Sequence, residues 1–505
     1  MSEVPETPSQ QTDQPVVSDS YKWKAFTAIG ISFVTMVASQ SMVFVALSQI
    51  AEDFNVTLRL VSWVVIAQGL TISALMMPMG RLADIIGRKK VHLIGLALFA
   101  SGSVFTAIVP TGSATIFALI IPGFGLLIMA RVLAAIGNSM AQSVGTAMVI
   151  SVFPDSERGK AIGSQTTAVA IGGASGPIVA GIMLQFLPWQ AMFWVLTVPI
   201  VIAFIVGYFI LDEKIVSQQR VGKRQSYDWL GAILSSLTIV VGVILINNPF
   251  GVSIVSPLIL GGAATTVALL GLFVWWELKI KSPMLELRMF KNLVFSMAVM
   301  ARLLGFLGTT TVRFLMPIYL ISLRDIGEAA TGGALFLVSL GMGIAAQSAG
   351  QLGDKFGERP FAVFGFAMLV GTSLGFAAFT SDTPMWMILV VLTVSGLAMG
   401  LWNVPNNSII MGAVPRESFG IVGAFTNVTR NVGNVAGQAI ASAVVVGVMV
   451  ADGFDVPLGE ITGDRAASES FMNGWRIAYI LVTSFAVLGL ILSILTKPKR
   501  ADQDA

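Results

Sequence analysis

Apolar runs of about 20 residues, each long enough to cross roughly 30 Å of hydrocarbon, recur along almost the whole chain. Fourteen are readable, at 25–50, 60–80, 91–110, 126–152, 161–186, 190–211, 229–247, 256–276, 293–322, 329–349, 361–380, 385–412, 419–450 and 474–496. In hydrocarbon each backbone N–H and C=O must be paired within the protein, and an unbroken run meets that demand as an α-helix. With 55% hydrophobic and 11% charged residues, a set of soluble domains could not hide this much apolar surface. The expectation is one all-α membrane body of fourteen spans. Residues 113–125, interrupted by Pro122, are too short to span and read as part of an extended loop before span 4, or as an interfacial segment.

Orientation follows from the basic residues, whose excess belongs on the cytoplasmic side. With the N-terminus inside, 22 of the 30 Lys and Arg fall on that side and four (Arg59, Arg324, Arg465, Arg476) outside. The other four, Arg131, Arg302, Arg313 and Arg430, lie within spans. Both ends are therefore expected in the cytoplasm, with the chain multi-pass in the cell membrane. The net charge of +3 then reports topology and contact with anionic headgroups, with no nucleic-acid partner. Residues 1–22 and 499–505 read as polar cytoplasmic tails, the first disordered and unlike a cleavable signal. The absence of cysteine excludes a disulfide framework and thiol chemistry.

An internal repeat follows from two turns. "GRLADIIGRKK" (80–90) comes after span 2 and "GQLGDKFGERP" (350–360) after span 10; both fit G-x-L-x-D-x-x-G followed by a basic residue. The glycines Gly80, Gly87, Gly350 and Gly357 let helix ends approach. Asp84 and Asp354 can each cap a helix N-terminus or pair with a basic neighbour, Arg88 or Arg359. Either copy alone reads equally as an ordinary charged turn; the matched pair reads as a duplicated bundle with a breakable latch between halves.

These turns resemble the inner-loop signature of the major facilitator superfamily, the second as a weaker copy with Glu358 where Arg88 stands in the first. "AIGGASGPIVAG" in span 5 resembles the Gly-Pro signature of its antiporter branch, with Gly172, Gly176, Pro177 and Gly181 forming a small-residue packing face bent at the proline. Fourteen spans resemble the drug:proton antiporter subfamily. The resemblance implies a six-helix bundle over 23–211, a cytoplasmic linker over 212–228, two extra helices over 229–281 and a second six-helix bundle over 282–498. It also implies that spans 1, 4, 9 and 12 line a central cavity, that no cofactor is held and that an ion gradient, of protons, supplies the energy.

The chain departs from that family in its charges. No Asp or Glu falls in a membrane core, and Ser39 stands where the subfamily carries a span 1 aspartate. Each unpaired arginine near the bilayer centre costs about 2.5–3.5 kcal/mol, so four must face the bundle interior, a wet cavity or an anion. Arg131, with Asn138 and Gln142 on one stripe of span 4, serves either the cavity or a pair with Glu52 or Asp53. Arg430, beside Asn427, Asn431 and Asn434, reads as a structural charge. Arg302 and Arg313, eleven residues apart, fall about 20° out of register and about 16 Å apart along span 9, a basic stripe. Asn403, Asn406 and Asn407 share one face of span 12 with Trp402 adjacent, and Gln40 adds an amide on span 1; each of these reads as a cavity group or as a helix-to-helix hydrogen bond.

A positive, amide-lined cavity suits a small amphipathic compound, anionic by preference, carried by a monomeric secondary transporter, with export implied by the resemblance alone. A conventional cationic multidrug:proton antiporter is the alternative within transport. One histidine, no cysteine and no metal-ligand cluster argue against an enzyme on lipid-linked substrates, and two gate turns argue against a non-transporting sensor.

Overall fold

The computed structural model describes residues 18–56, 58–61, 63–116, 119–217, 227–247, 256–415, 418–454 and 465–496. Fourteen helices long and apolar enough to cross a membrane are found there. Spans 1–6 are Asp19–Leu47, Trp63–Ile86, Arg88–Ile108, Gly123–Val152, Asp155–Met183 and Gln190–Ile210. Spans 7 and 8 are Trp229–Ile246 and Pro257–Lys279. Spans 9–14 are Leu293–Leu323, Ala330–Phe356, Glu358–Ala377, Met385–Gly412, Phe419–Ala451 and Arg465–Leu495.

Local chemistry sets several starts. Ser18 caps span 1 by accepting from Tyr21 N, and Asn292 caps span 9 by accepting from Val294 N at 3.0 Å. Span 1 thus begins six residues before the sequence suggested, and residues 19–22 are helical where a tail was expected; residues 1–17 and 499–505 lie outside the described residues. The segment before span 4 pairs as a two-stranded antiparallel hairpin, Ser113–Ile116 with Leu119–Pro122.

The duplication is visible in which helices touch. Among spans 1–6 the close pairs are 3 with 4, 2 with 4, 1 with 5, 3 with 6 and 1 with 6. Each recurs among spans 9–14 as 11 with 12, 10 with 12, 9 with 13, 11 with 14 and 9 with 14. Two seams join the bundles, span 5 on span 10 and span 2 on span 13, and these too are related by the repeat. Spans 7 and 8 pack on each other, and span 7 leans on spans 2 and 13, covering one seam. An even number of crossings brings both chain ends to one side, called below the terminus side.

Candidate functional site

Both repeated turns lie where the bundles meet on the terminus side. Gly87 and Gly357, each just ahead of the following helix, have φ of 108° and 90°, a left-handed region that glycine enters without a Cβ penalty. Asp84 accepts from Ile421 N at 3.2 Å, at the first turn of span 13, and pairs with Arg88 at 3.1 Å. Arg88 is buried and also donates to Ser151 Oγ at 3.1 Å and Val216 O at 3.4 Å, tying spans 2, 3 and 4 to the short helix Glu213–Ser217. Asp354 accepts from Gly159 N at 2.7 Å and Lys160 N at 2.8 Å, at the first turn of span 5. Each acid therefore caps a helix of the opposite bundle, where free N–H groups and the helix dipole favour a carboxylate.

The copies differ in the basic partner. Arg359 donates to Ile494 O on span 14, so of its two expected roles Asp354 takes the helix cap and not the ion pair; Glu358 accepts from Ser408 Oγ at 3.0 Å. Room for each acid comes from a glycine in the receiving helix. A β-carbon on Gly420 would lie 2.1 Å from Asp84 Oδ1, and one on Gly159 would lie 2.7 Å from Asp354 Oδ1. Gly80 meets Ala424 and Gly350 meets the Gly159 carbonyl at similar range. Sequence reading missed Gly159 and Gly420, although each stands one residue into a helix at repeat-related positions.

Further along the seams, Thr167 donates to Gly343 O at 3.0 Å, Ser164 to Gln347 Oε1 at 3.1 Å, and Asn431 to Ser73 Oγ at 3.3 Å. Gly172 and Gly176 let span 5 meet the span 1 backbone at Val34 and Ala38. Pro177 lies within the span 5 helix, but Gly181 faces open space and takes no part in that packing.

The arginines separate by environment. Arg131 is fully buried, donates to Gln68 and lies over the Phe193 ring at 5.1 Å. It does not reach span 1, where Asp53 instead accepts from Trp189 Nε1 at 2.7 Å. Asn138 and Gln142 bond each other at 2.5 Å, and Ser39 is buried with its hydroxyl unpartnered. Arg302 is buried, donating from Nη1 to Asn403 Oδ1 at 2.9 Å and from Nε to Thr426 O at 3.1 Å, with Phe306 beneath it at 5.0 Å. It crosslinks spans 9, 12 and 13. Trp402 is fully buried against Gly305, Phe306 and Phe366, and Asn406 donates to Ala298 O at 2.9 Å. These groups make helix-to-helix contacts within the second bundle, one of the two readings that the sequence offered for them. Among the described residues, Asn407 is buried with its carboxamide oxygen unpartnered, and Gln40 is half-buried with no side-chain hydrogen bond.

Arg313 and Arg430 differ from the rest. Arg313 is exposed and Arg430 half-buried, and neither makes a hydrogen bond or ion pair among the described residues. Asn431, next to Arg430, reaches across to span 2, so this face of span 13 looks toward the other bundle. Thr310 of span 9 donates to Asn434 of span 13 at 2.6 Å beside them. The expected stripe is therefore split: Arg302 is consumed by packing, while Arg313 joins Arg430. A separate cavity of about 680 Å³ lies between spans 1, 5 and 6, with Gln347 of span 10 at its wall. Its lining is apolar and includes none of the arginines.

Comparison with known proteins places this arrangement. Residues 29–438 match the family model of the Major Facilitator Superfamily. The riboflavin transporter RibZ of Clostridioides difficile is 27% identical over 474 residues, covering 94% of this chain and 97% of that protein. The lincomycin resistance protein LmrB of Listeria monocytogenes is 24% identical over 465 residues, covering 90% and 93%. Among solved structures, the human organic anion transporter MFSD10 superposes with a TM-score of 0.64 at 13% identity, covering 94% of this chain and 99% of that one, a likeness of fold alone.

Proposed function

The chain belongs to the major facilitator superfamily, and from that premise we propose that it exports small amphipathic organic compounds, anionic ones by preference, from the cytoplasm by alternating access driven by a proton gradient. The observation that carries this reading is the pair Arg313 and Arg430, two arginines on neighbouring helices with no hydrogen bond or ion pair among the described residues. Two such charges close together are retained against a cost of about 2.5–3.5 kcal/mol each when water or an anion answers them. A cation would meet their repulsion. That one relative is named a riboflavin transporter and another a lincomycin resistance protein supports a small organic cargo.

On this reading the terminus side is cytoplasmic and the structure is the state closed to the cytoplasm. Asp84 and Asp354 hold that closure. Opening it exchanges their bonds to the opposite helix for water and frees the seams to part at the other side. The energetic cost of each exchange is small, since a charge-assisted hydrogen bond contributes about 1.5–3 kcal/mol net. That range suits a gate that opens thermally.

The test is transport in proteoliposomes with an imposed pH gradient, comparing organic anions with ethidium-like cations. Arg313→Gln and Arg430→Gln should each lower anion flux by about 10–100-fold, the loss of one charge-assisted contact, with the protein folded as judged by gel filtration and circular dichroism. Unchanged anion flux in both variants, with proton-coupled cation flux in the wild type, would sink the anionic reading and favour a cationic drug:proton antiporter.

A further inference from the structure

The extra helices carry a pair of acids that the transport reading does not use. Asp228, just ahead of span 7, and Glu277, near the end of span 8, are 4% and 3% exposed. A β-carbon placed on Gly231 would lie 2.3 Å from Asp228 Oδ2 and 2.5 Å from Glu277 Oε1, so the two oxygens crowd one point. The other oxygens are already occupied. Asp228 Oδ1 accepts from Gly231 N at 2.9 Å and Trp276 Nε1 at 3.0 Å, and the same indole N–H lies 3.2 Å from Oδ2; Glu277 Oε2 accepts from Leu285 N at 3.0 Å. Glu277 Oε1 has no N–H donor among the described residues.

Among the described residues, the surroundings supply no countercharge. Lys279 lies over the Trp275 ring at 4.0 Å, Lys281, Glu286 and Arg288 are exposed, and none of these four pairs with either acid. Arg81 of span 2 acts on Asp84, and the described start of span 13 brings no titratable group before Arg430. Burial, and then the charge of Asp228, push the Tyr227 hydroxyl up to about 12, so it stays protonated while it donates to Pro78 O at 3.2 Å.

Two carboxylates cannot bond face to face in a buried site, because like charges that close cannot both remain ionised. We infer that Asp228 and Glu277 bind one proton between Oδ2 and Oε1, forming a clasp that fastens the extra hairpin to the segment leading into span 9. Asp228, which accepts two N–H bonds, carries the negative charge. Glu277 carries the proton and donates it to Asp228, while its second oxygen holds Leu285. Tyr227 extends the clasp to span 2, so one proton ties together parts of both bundles. Raising the pH removes that proton, leaves two facing carboxylates and releases the segment; lowering it restores the clasp. The stabilisation is therefore present at low pH and lost as pH rises.

The experiment is thermal unfolding of the full-length protein in lipid nanodiscs from mildly acidic to alkaline pH, with infrared difference spectra over the same range. The wild type should lose a few degrees of Tm as pH rises, and a protonated-carboxyl C=O band should fade in step. In Glu277→Gln the amide N–H donates to Asp228 in place of the proton, so the alkaline fall in Tm should flatten and that band should be missing. Asp228→Asn should flatten the fall by the reciprocal bond, which keeps the test sharp if one variant folds poorly. The same pH slope in wild type and both variants, or a carboxyl band that survives in Glu277→Gln, would overturn the assignment.

Discussion

Arg302 and Arg313 sit on one helix, eleven residues apart, yet their fates differ. Arg302 fills the bonding capacity of Asn403 and Thr426 inside the second bundle. Its removal strands those acceptors, each at about 1–3 kcal/mol. Arg302→Ala should therefore lower Tm by several degrees, in a melting experiment where Arg313→Ala leaves it nearly unchanged, since Arg313 gives up no bond. A larger fall for Arg313→Ala would reverse the two roles. The sequence showed that four arginines lie in the membrane and that no core carboxylate answers them; helical spacing placed two of them on one face. It could not show that Asn403 and the Thr426 carbonyl would reach one of them, because both come from helices more than a hundred residues away. Arg131 gives the same lesson: its nearest acids by sequence reasoning were on span 1, and the structure gives it Gln68 of span 2.

At the scale of the element, the starts of spans 5 and 13 act as receptors for an acid from the opposite bundle. Gly159 and Gly420 leave the space, and any side chain there collides with Asp354 or Asp84. Gly159→Val and Gly420→Val should each force the terminus side apart. Because the chain has no native cysteine, a cysteine pair introduced across span 2 and span 13, or across span 5 and span 10, reports this directly; disulfide yield should fall severalfold in the valine variants. Gly181→Val, with nothing within 4 Å of its β-carbon, is the control and should leave the yield unchanged. Full crosslinking in Gly420→Val would show that the helix start tolerates a side chain. The acids of this arrangement were legible as a repeated motif. The glycines that receive them were not, since nothing local distinguishes them from the other glycines of the chain.

At the scale of the whole molecule, the two seams obey the same rule through unequal parts. Asp84 is supported by Arg88, whereas Asp354 stands on backbone N–H groups alone. Asp354→Asn and Asp84→Asn should each weaken closure, and the double variant should do so roughly additively, because the seams share no partner. A loss of about 1.5 kcal/mol per site would shift the equilibrium about tenfold, and a double variant about a hundredfold. Distance distributions between spin labels on the two bundles measure that shift. No change in the double variant would mean that helix packing alone sets the closed state.

The sequence by itself determined the number of spans, the duplication and the family, because hydrocarbon thickness fixes the length of an apolar run and the repeat writes itself twice into one chain. Only the tertiary structure decided which polar groups are spent on holding helices together and which are left to meet a ligand or a proton. A side chain in the membrane takes whatever partner the packing brings within 3 Å. Those partners, Asn403 for Arg302 and Ile421 N for Asp84, come from helices that are neighbours only after folding.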